Sequence, residues 1–213
     1  MIIIDCEQGS PEWHAYRCGK VTASRVADVI AKTKTGWGAS RANYGAELVA
    51  ERLTGTTSDG YTNAAMQWGI DTEPQARNVY ELMTNSTVQK VGLVQHPEIA
   101  LSCASPDGLI GTIGLIEIKC PNTATHIETL LSEKVPEKYI TQMQWQMACT
   151  GRAWCDYASF DPRMPGEMQL FVKRIAADPV LIDTLTFSVN EFLAEVASTV
   201  AKLTARYGLK DAA

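Results

Sequence analysis

The chain has 213 residues, 46% of them hydrophobic, and a formal net charge of −5 at pH 7. That length and composition suit a globular protein with a sizeable core and exclude an intrinsically disordered chain, while the acidic balance excludes a uniform basic coat for nucleic acid. The apolar start MIIID is too short for an export signal and lacks a basic leader, and no window is long enough to cross a bilayer, so a cytoplasmic protein without a membrane partner is expected. Cys6, Cys18, Cys103, Cys120, Cys149 and Cys155 form no Cys-x-x-Cys pair and read as reduced thiols used in packing. No repeat or Pro/Gly-rich linker divides the chain, which predicts a single domain over 1–213.

The first predicted element is a helix in VTASRVADVIAKT, with Thr22 or Ser24 as its cap and Val26, Val29 and Ile30 at helical spacing. A second follows in NYGAELVAERLTG, where Leu48, Val49 and Leu53 form the apolar stripe and Gly55 the stop. A third is expected in TEPQARNVYELMT, capped by Thr72 with Pro74 in its first turn. The period then changes. VQKVGLVQHPEIALSCASPDGLIG and GLIEIKCP are rich in β-branched residues, punctuated by Gly and Pro, and predict strands joined by turns. KYITQMQWQMACTG predicts a helix ending at Gly151, WCDYASFDP and QLFVKRIA two further strands, and the segment 178–207 one or two amphipathic helices. Helices flanking a central mixed β-sheet make an α/β (α+β) fold.

The segment SPDGLIGTIGLIEIKCP, Ser105 to Pro121, carries the chemistry. Side chains alternate along a strand, so Glu117 and Lys119 project to one face while Ile116 and Ile118 project to the other and bury. A turn across Gly111–Gly114 would fold Asp107 back toward Glu117. Two converging carboxylates repel unless one protonates or a hard divalent cation such as Mg²⁺ neutralises them. Lys119 beside that cation would position or deprotonate a water, and the set is equipment for metal-assisted phosphodiester hydrolysis. Taken singly, a Glu-x-Lys on a strand is an ordinary solvated ion pair and Pro-Asp-Gly an ordinary turn. Together, Pro106-Asp107 and Glu117-Ile118-Lys119 form the PD-(D/E)xK pattern of restriction-endonuclease-like nucleases.

With RCGKVTASRVADVI, MQWGIDTEPQAR, SCASPDGLI, LIEIKCP, YITQMQWQM and YASFDPRM in that order, residues 12–170 resemble the lambda-exonuclease-like (YqaJ) viral recombinase family. The resemblance implies a restriction-endonuclease-like core. It also implies a phage or prophage exonuclease that degrades one strand of linear double-stranded DNA from the 5′ end, leaving a 3′ overhang for a single-strand annealing protein. A ring-shaped homotrimer around the DNA is implied as well, and the expected cofactor is Mg²⁺, as two ions, with Mn²⁺ as a substitute.

By the same resemblance Asp107 and Glu117 bind metal with the backbone carbonyl of Ile118, Lys119 serves the attacking water, and Glu73 is a further acid beside the site. Gln142 faces that site, although Gln142, Gln144 and Gln146 cannot all share one helix face. Arg17, Ser24 and Ser105 match a set that holds the terminal phosphate. Met66 matches an apolar wedge that parts the strands, with a core methionine as the alternative, and Lys34 a loop contact to DNA. His14, His96 and His126 show no metal-ligand spacing. Cys149 and Cys155 alone do not supply the iron–sulfur ligand group of Cas4-like nucleases. Two other readings stand beside the exonuclease: a silent nuclease-fold module that only binds DNA ends, and an endonuclease on the same core.

Overall fold

The structure, a computed structural model, describes residues 1–57 and 63–208. It opens with a short strand, β1 (Ile2–Ile4), and a short helix, α1 (Pro11–Arg17). Ser10 caps α1 by accepting the Trp13 N–H at 3.2 Å, and Pro11 takes the first helical position, where an N–H has no partner to lose. Next come β2 (Val21–Thr22), a 3₁₀ turn over Ala23–Arg25, and a single helical turn, α2 (Val26–Val29).

This corrects the helix expected in VTASRVADVIAKT. Neither Thr22 nor Ser24 caps it, because the Thr22 N–H goes to the Tyr44 hydroxyl at 3.1 Å and Val21 donates to the Leu101 carbonyl at 2.9 Å. Strand pairing here overrides a helical spacing. The remainder of that segment leads into a small hairpin, β3 (Lys32–Thr33) and β4 (Gly36–Trp37).

Helix α3 (Ala39–Thr54) ends at Gly55, whose φ of 70° is the left-handed conformation that closes a helix. Helix α4 (Ala64–Thr84) starts well before the expected cap: Asn63 Oδ1 accepts the Met66 N–H at 2.9 Å, and Thr72 is buried in mid-helix. Pro74 therefore lies inside the helix and leaves the Ile70 carbonyl without its usual donor, at a position 60% exposed, where water can reach it.

Strands β5 (Val88–Gln89), β6 (Leu93–Gln95), β7 (Ser102–Ala104), β8 (Gly108–Ile110) and β9 (Gly114–Lys119) fill the middle of the chain. They are followed by α5 (Thr123–Ser132), α6 (Glu137–Thr150), β10 (Trp154–Phe160), β11 (Leu170–Ala176) and one long helix, α7 (Pro179–Tyr207). Among the described residues, no helix is long and apolar enough to cross a membrane.

The expected central sheet is two mixed sheets, ordered β1-β6-β7-β2 and β11-β10-β9-β8-β5. In the second, β9 lies between parallel β10 and antiparallel β8. Its two faces meet different helices: Ile116 and Ile118 pack with Ala76 and Tyr80 of α4, and Leu115 packs with Met143 and Met147 of α6. Each fully buried side chain of this kind stabilises the fold by about 1.5–3 kcal/mol relative to exposure. A one-residue slip would drive Glu117 into the α4 face, so the core itself fixes the register that presents Glu117 and Lys119 to α6. A third core joins α3, α6 and α7 to the first sheet through Tyr44, Trp145 and Phe192.

Candidate active site

The β8–β9 hairpin sets Gly108 opposite Ile116 and Ile110 opposite Gly114, turning at Gly111 with φ 49°. Asp107 immediately precedes β8, and its Oδ2 accepts the Ile118 N–H at 2.6 Å. The N–H and C=O of a strand residue leave the same edge, so the Ile118 carbonyl also faces the Asp107 side.

Glu117 is only 1% exposed, and both its oxygens are engaged. Oε1 accepts from Gln142 Nε2 at 2.7 Å and from the Lys119 ammonium, while Oε2 accepts from Gln146 Nε2 at 2.5 Å. Gln144 points elsewhere: it donates to the Ala176 carbonyl at 2.8 Å and accepts the Asp178 N–H. The open choice among the three glutamines thus resolves as Gln142 and Gln146 toward the site and Gln144 away.

Burial pushes the Asp107 carboxyl well above the usual carboxylate range, and the neighbouring Glu117 charge pushes it further, against the pull of Lys119. Burial works against the Lys119 charge, but Glu117 and Asp107 outweigh it and hold the ammonium above its ordinary range. Glu73 approaches from α4, ion-paired to the buried Arg77, whose Nη2 also lies 3.5 Å from the Asp107 carbonyl oxygen.

This donor set fits a small hard cation. Two close carboxylates and a carbonyl are oxygen ligands, and the repulsion that raises Asp107 is what a cation relieves. Among the described residues, no three His, Cys, Asp or Glu side chains cluster to enclose an ion. Mg²⁺ suits such a site, since it is bound through one or two carboxylates and keeps the rest of its shell for water and phosphate.

Ser24 and Ser105 follow neighbouring strands of the first sheet, and Ser105 stands two residues before Asp107. Parallel pairing places Thr22 beside Cys103, so Ser24 and Ser105 leave the same end of that sheet. Ser105 Oγ accepts the Trp13 indole N–H at 2.8 Å, and the Arg17 guanidinium carbon sits 3.7 Å from the centre of the Trp13 ring. Burial lowers the Arg17 pKa, and among the described residues no acid pairs with it. Ser24 is exposed, its Oγ 3.4 Å from Thr22 Oγ1.

Met66 is 51% exposed in the first turn of α4, unlike a core methionine, and its spacing of seven residues from Glu73 puts the two on one helix face. Lys34 sits exposed in the β3–β4 turn, tied to neither group by any hydrogen bond or ion pair among the described residues. His126 is buried between Ser159 Oγ and the Met168 carbonyl, a structural role, and all six cysteines are free thiols. A groove of about 670 Å³ between α3 and α7, lined by Val49, Leu53, Phe192 and Val196, contains none of these groups.

Trp13 and Arg77 escaped the sequence reading. Each stands four residues from an expected member, Arg17 or Glu73, and that spacing marks neighbours on one helix face.

Residues 12–153 match the model of the YqaJ-like viral recombinase domain. The chain belongs to this family. Its fold is that of the alkaline exonuclease LHK-Exo from Laribacter hongkongensis, with a TM-score of 0.88 and 53% identity over 93% of this chain and 98% of that one. The same protein in complex with dAMP matches equally well. A phage-related exonuclease from Haemophilus somnus 129PT shares the fold at 17% identity, with a TM-score of 0.70 over 86% of this chain and 96% of that one. No curated protein matches the chain significantly. This YqaJ-family chain is thus a homologue of an alkaline exonuclease, and its mixed α/β fold is that nuclease fold.

Proposed function

We propose that this YqaJ-family protein is a Mg²⁺-dependent 5′-to-3′ exonuclease that hydrolyses one strand of linear double-stranded DNA and leaves 3′ overhangs. The observation that carries the reading is the Asp107 carboxylate bonded to the Ile118 N–H at 2.6 Å, next to the buried, fully hydrogen-bonded Glu117 and its Lys119 partner.

Asp107, Glu117 and the Ile118 carbonyl would hold Mg²⁺, as two ions with Mn²⁺ as a substitute, which when bound supplies Lewis-acid stabilisation of the phosphate and activation of water. Gln142 and Gln146 fix the plane of the Glu117 carboxylate, and Arg77 orients Glu73 toward the same space. We assign to Lys119, whose ammonium also bonds Glu117, the task of holding the attacking water by a hydrogen bond.

Direction needs a group that grips the chain end, because the acids and the lysine alone cleave any phosphodiester they reach. Arg17, Ser24 and Ser105 are our candidates for the 5′-phosphate. Only two residues of chain lead from Ser105 to Asp107, a span of at most about 7 Å, so a phosphate held at Ser105 lies close to the metal acids. Met66 is the wedge that parts the strands and Lys34 a contact to DNA outside the site. The dAMP complex of the 53% identical exonuclease supports a mononucleotide product here.

A net charge of −5 cannot hold a duplex by average attraction, so we propose a closed homotrimer ring with cations gathered inside. The overhang would pass to a single-strand annealing protein in the cytoplasm of a phage- or prophage-bearing cell. The test is digestion of 5′-labelled, 3′-labelled and closed circular DNA with and without Mg²⁺. Label released first from 5′ ends, only with metal, and an intact circle are expected; cleavage of the circle overturns the exonuclease reading.

A further inference from the structure

Two contacts made by Trp13 bear on the proposed 5′-phosphate pocket, and the inference rests on that reading. The indole N–H can only donate, so its 2.8 Å bond to Ser105 uses a lone pair of Oγ and leaves the Ser105 O–H to donate elsewhere. Among the described residues, that O–H has no acceptor. Trp13 also supports Arg17 through its ring, at 3.7 Å, a contact that consumes none of the five N–H donors of the guanidinium. Had a carboxylate held Arg17 in place, it would compete with a phosphate for those donors. An aromatic face holds the cation without adding a negative charge.

We infer that Trp13 is the positioning residue of this pocket: it turns Ser105 into a donor and presents Arg17 with no carboxylate among the described residues paired to it, and so makes the pocket select a terminal phosphate monoester over a terminal hydroxyl. The spacing of four residues within α1 provides the stacking, and Ser105, the residue that follows β7, provides the acceptor.

The test compares kcat/KM on otherwise identical duplexes with a 5′-phosphate or a 5′-hydroxyl, for wild type, Trp13→Phe and Trp13→Leu, with thermal melts of each. Trp13→Phe keeps a ring under Arg17 but loses the N–H, and is expected to shrink the phosphate-to-hydroxyl ratio roughly three- to tenfold, the worth of one hydrogen bond. Trp13→Leu loses both contacts and shrinks it further. A purely structural Trp13 would lower both rates together and leave the ratio unchanged in both variants; that result overturns the inference. Should Trp13→Leu fail to fold, the Trp13→Phe ratio decides alone. A wild type without any phosphate preference refutes the Arg17 pocket itself, a different failure from a preference that survives in Trp13→Phe.

Discussion

Gln146→Leu isolates the support of a buried carboxylate from the carboxylate itself. Gln146 is fully buried and gives its amide to Glu117 Oε2 at 2.5 Å. Leucine is close to glutamine in size, so little cavity opens, and beside a weak thiol contact from Cys155 at 3.9 Å what is lost is one hydrogen bond to a buried charged group, worth about 1.5–3 kcal/mol. In a chain of this size each 1 kcal/mol shifts Tm by about 2–4 °C, which gives a fall of roughly 3–12 °C. The Glu117 plane, now held on one oxygen only, can rotate. Loss of such an outer contact weakens metal binding by about 10- to 100-fold. Gln144→Leu is the control, since its bonds run to Ala176 and Asp178 and not to the acids. Calorimetric titration with Mg²⁺ or Mn²⁺, beside thermal melts, reads both effects. Metal affinity unchanged in Gln146→Leu, or weakened equally in Gln144→Leu, refutes the clamp.

Asp107→Asn should abolish cleavage yet raise Tm. The folded-state carboxyl titrates above its unfolded value of about 3.9, so the native state binds more protons in the window above that value and stability falls as pH rises through it. The gain from removing the charge should therefore appear at neutral and alkaline pH and vanish below about pH 3.9; a variant less stable at pH 8 in metal-free buffer contradicts this. Lys119→Ala should cut single-turnover rates severely while titrating with metal much as wild type does, and an unchanged rate removes Lys119 from the reaction. Arg17→Ala should slow digestion of 5′-phosphorylated duplex by about 10- to 100-fold, the worth of one charge-assisted contact, and narrow its lead over 5′-hydroxyl duplex; a lead left intact excludes Arg17.

Features written into the chain within a few residues of one another were legible in the sequence. Alternation along GLIEIK separates Glu117 and Lys119 from Ile116 and Ile118 whatever the rest of the fold does. Gly55 and Gly151 end α3 and α6 because each adopts a left-handed φ, 70° and 69°, that other residues resist. Pro-Asp-Gly followed by Glu-x-Lys pointed to the acids through the same local geometry.

What escaped was decided by partners far along the chain. The segment at Thr22 has helical spacing but lies beside β7, some eighty residues later, and Tyr44 takes its N–H. The start of α4 at Asn63 was obscured because Thr72 and Pro74 are the stronger local start signal, which a continuing helix overrode. Three glutamines on α6 are equivalent by composition, and only the packing of that helix over β9 sends Gln142 and Gln146 to Glu117 and Gln144 to the base of α7. Trp13 meets Ser105 across 92 residues. Local chemistry determined which groups this chain can offer; sheet register and helix packing, which act between residues distant in sequence, decided which of them meet.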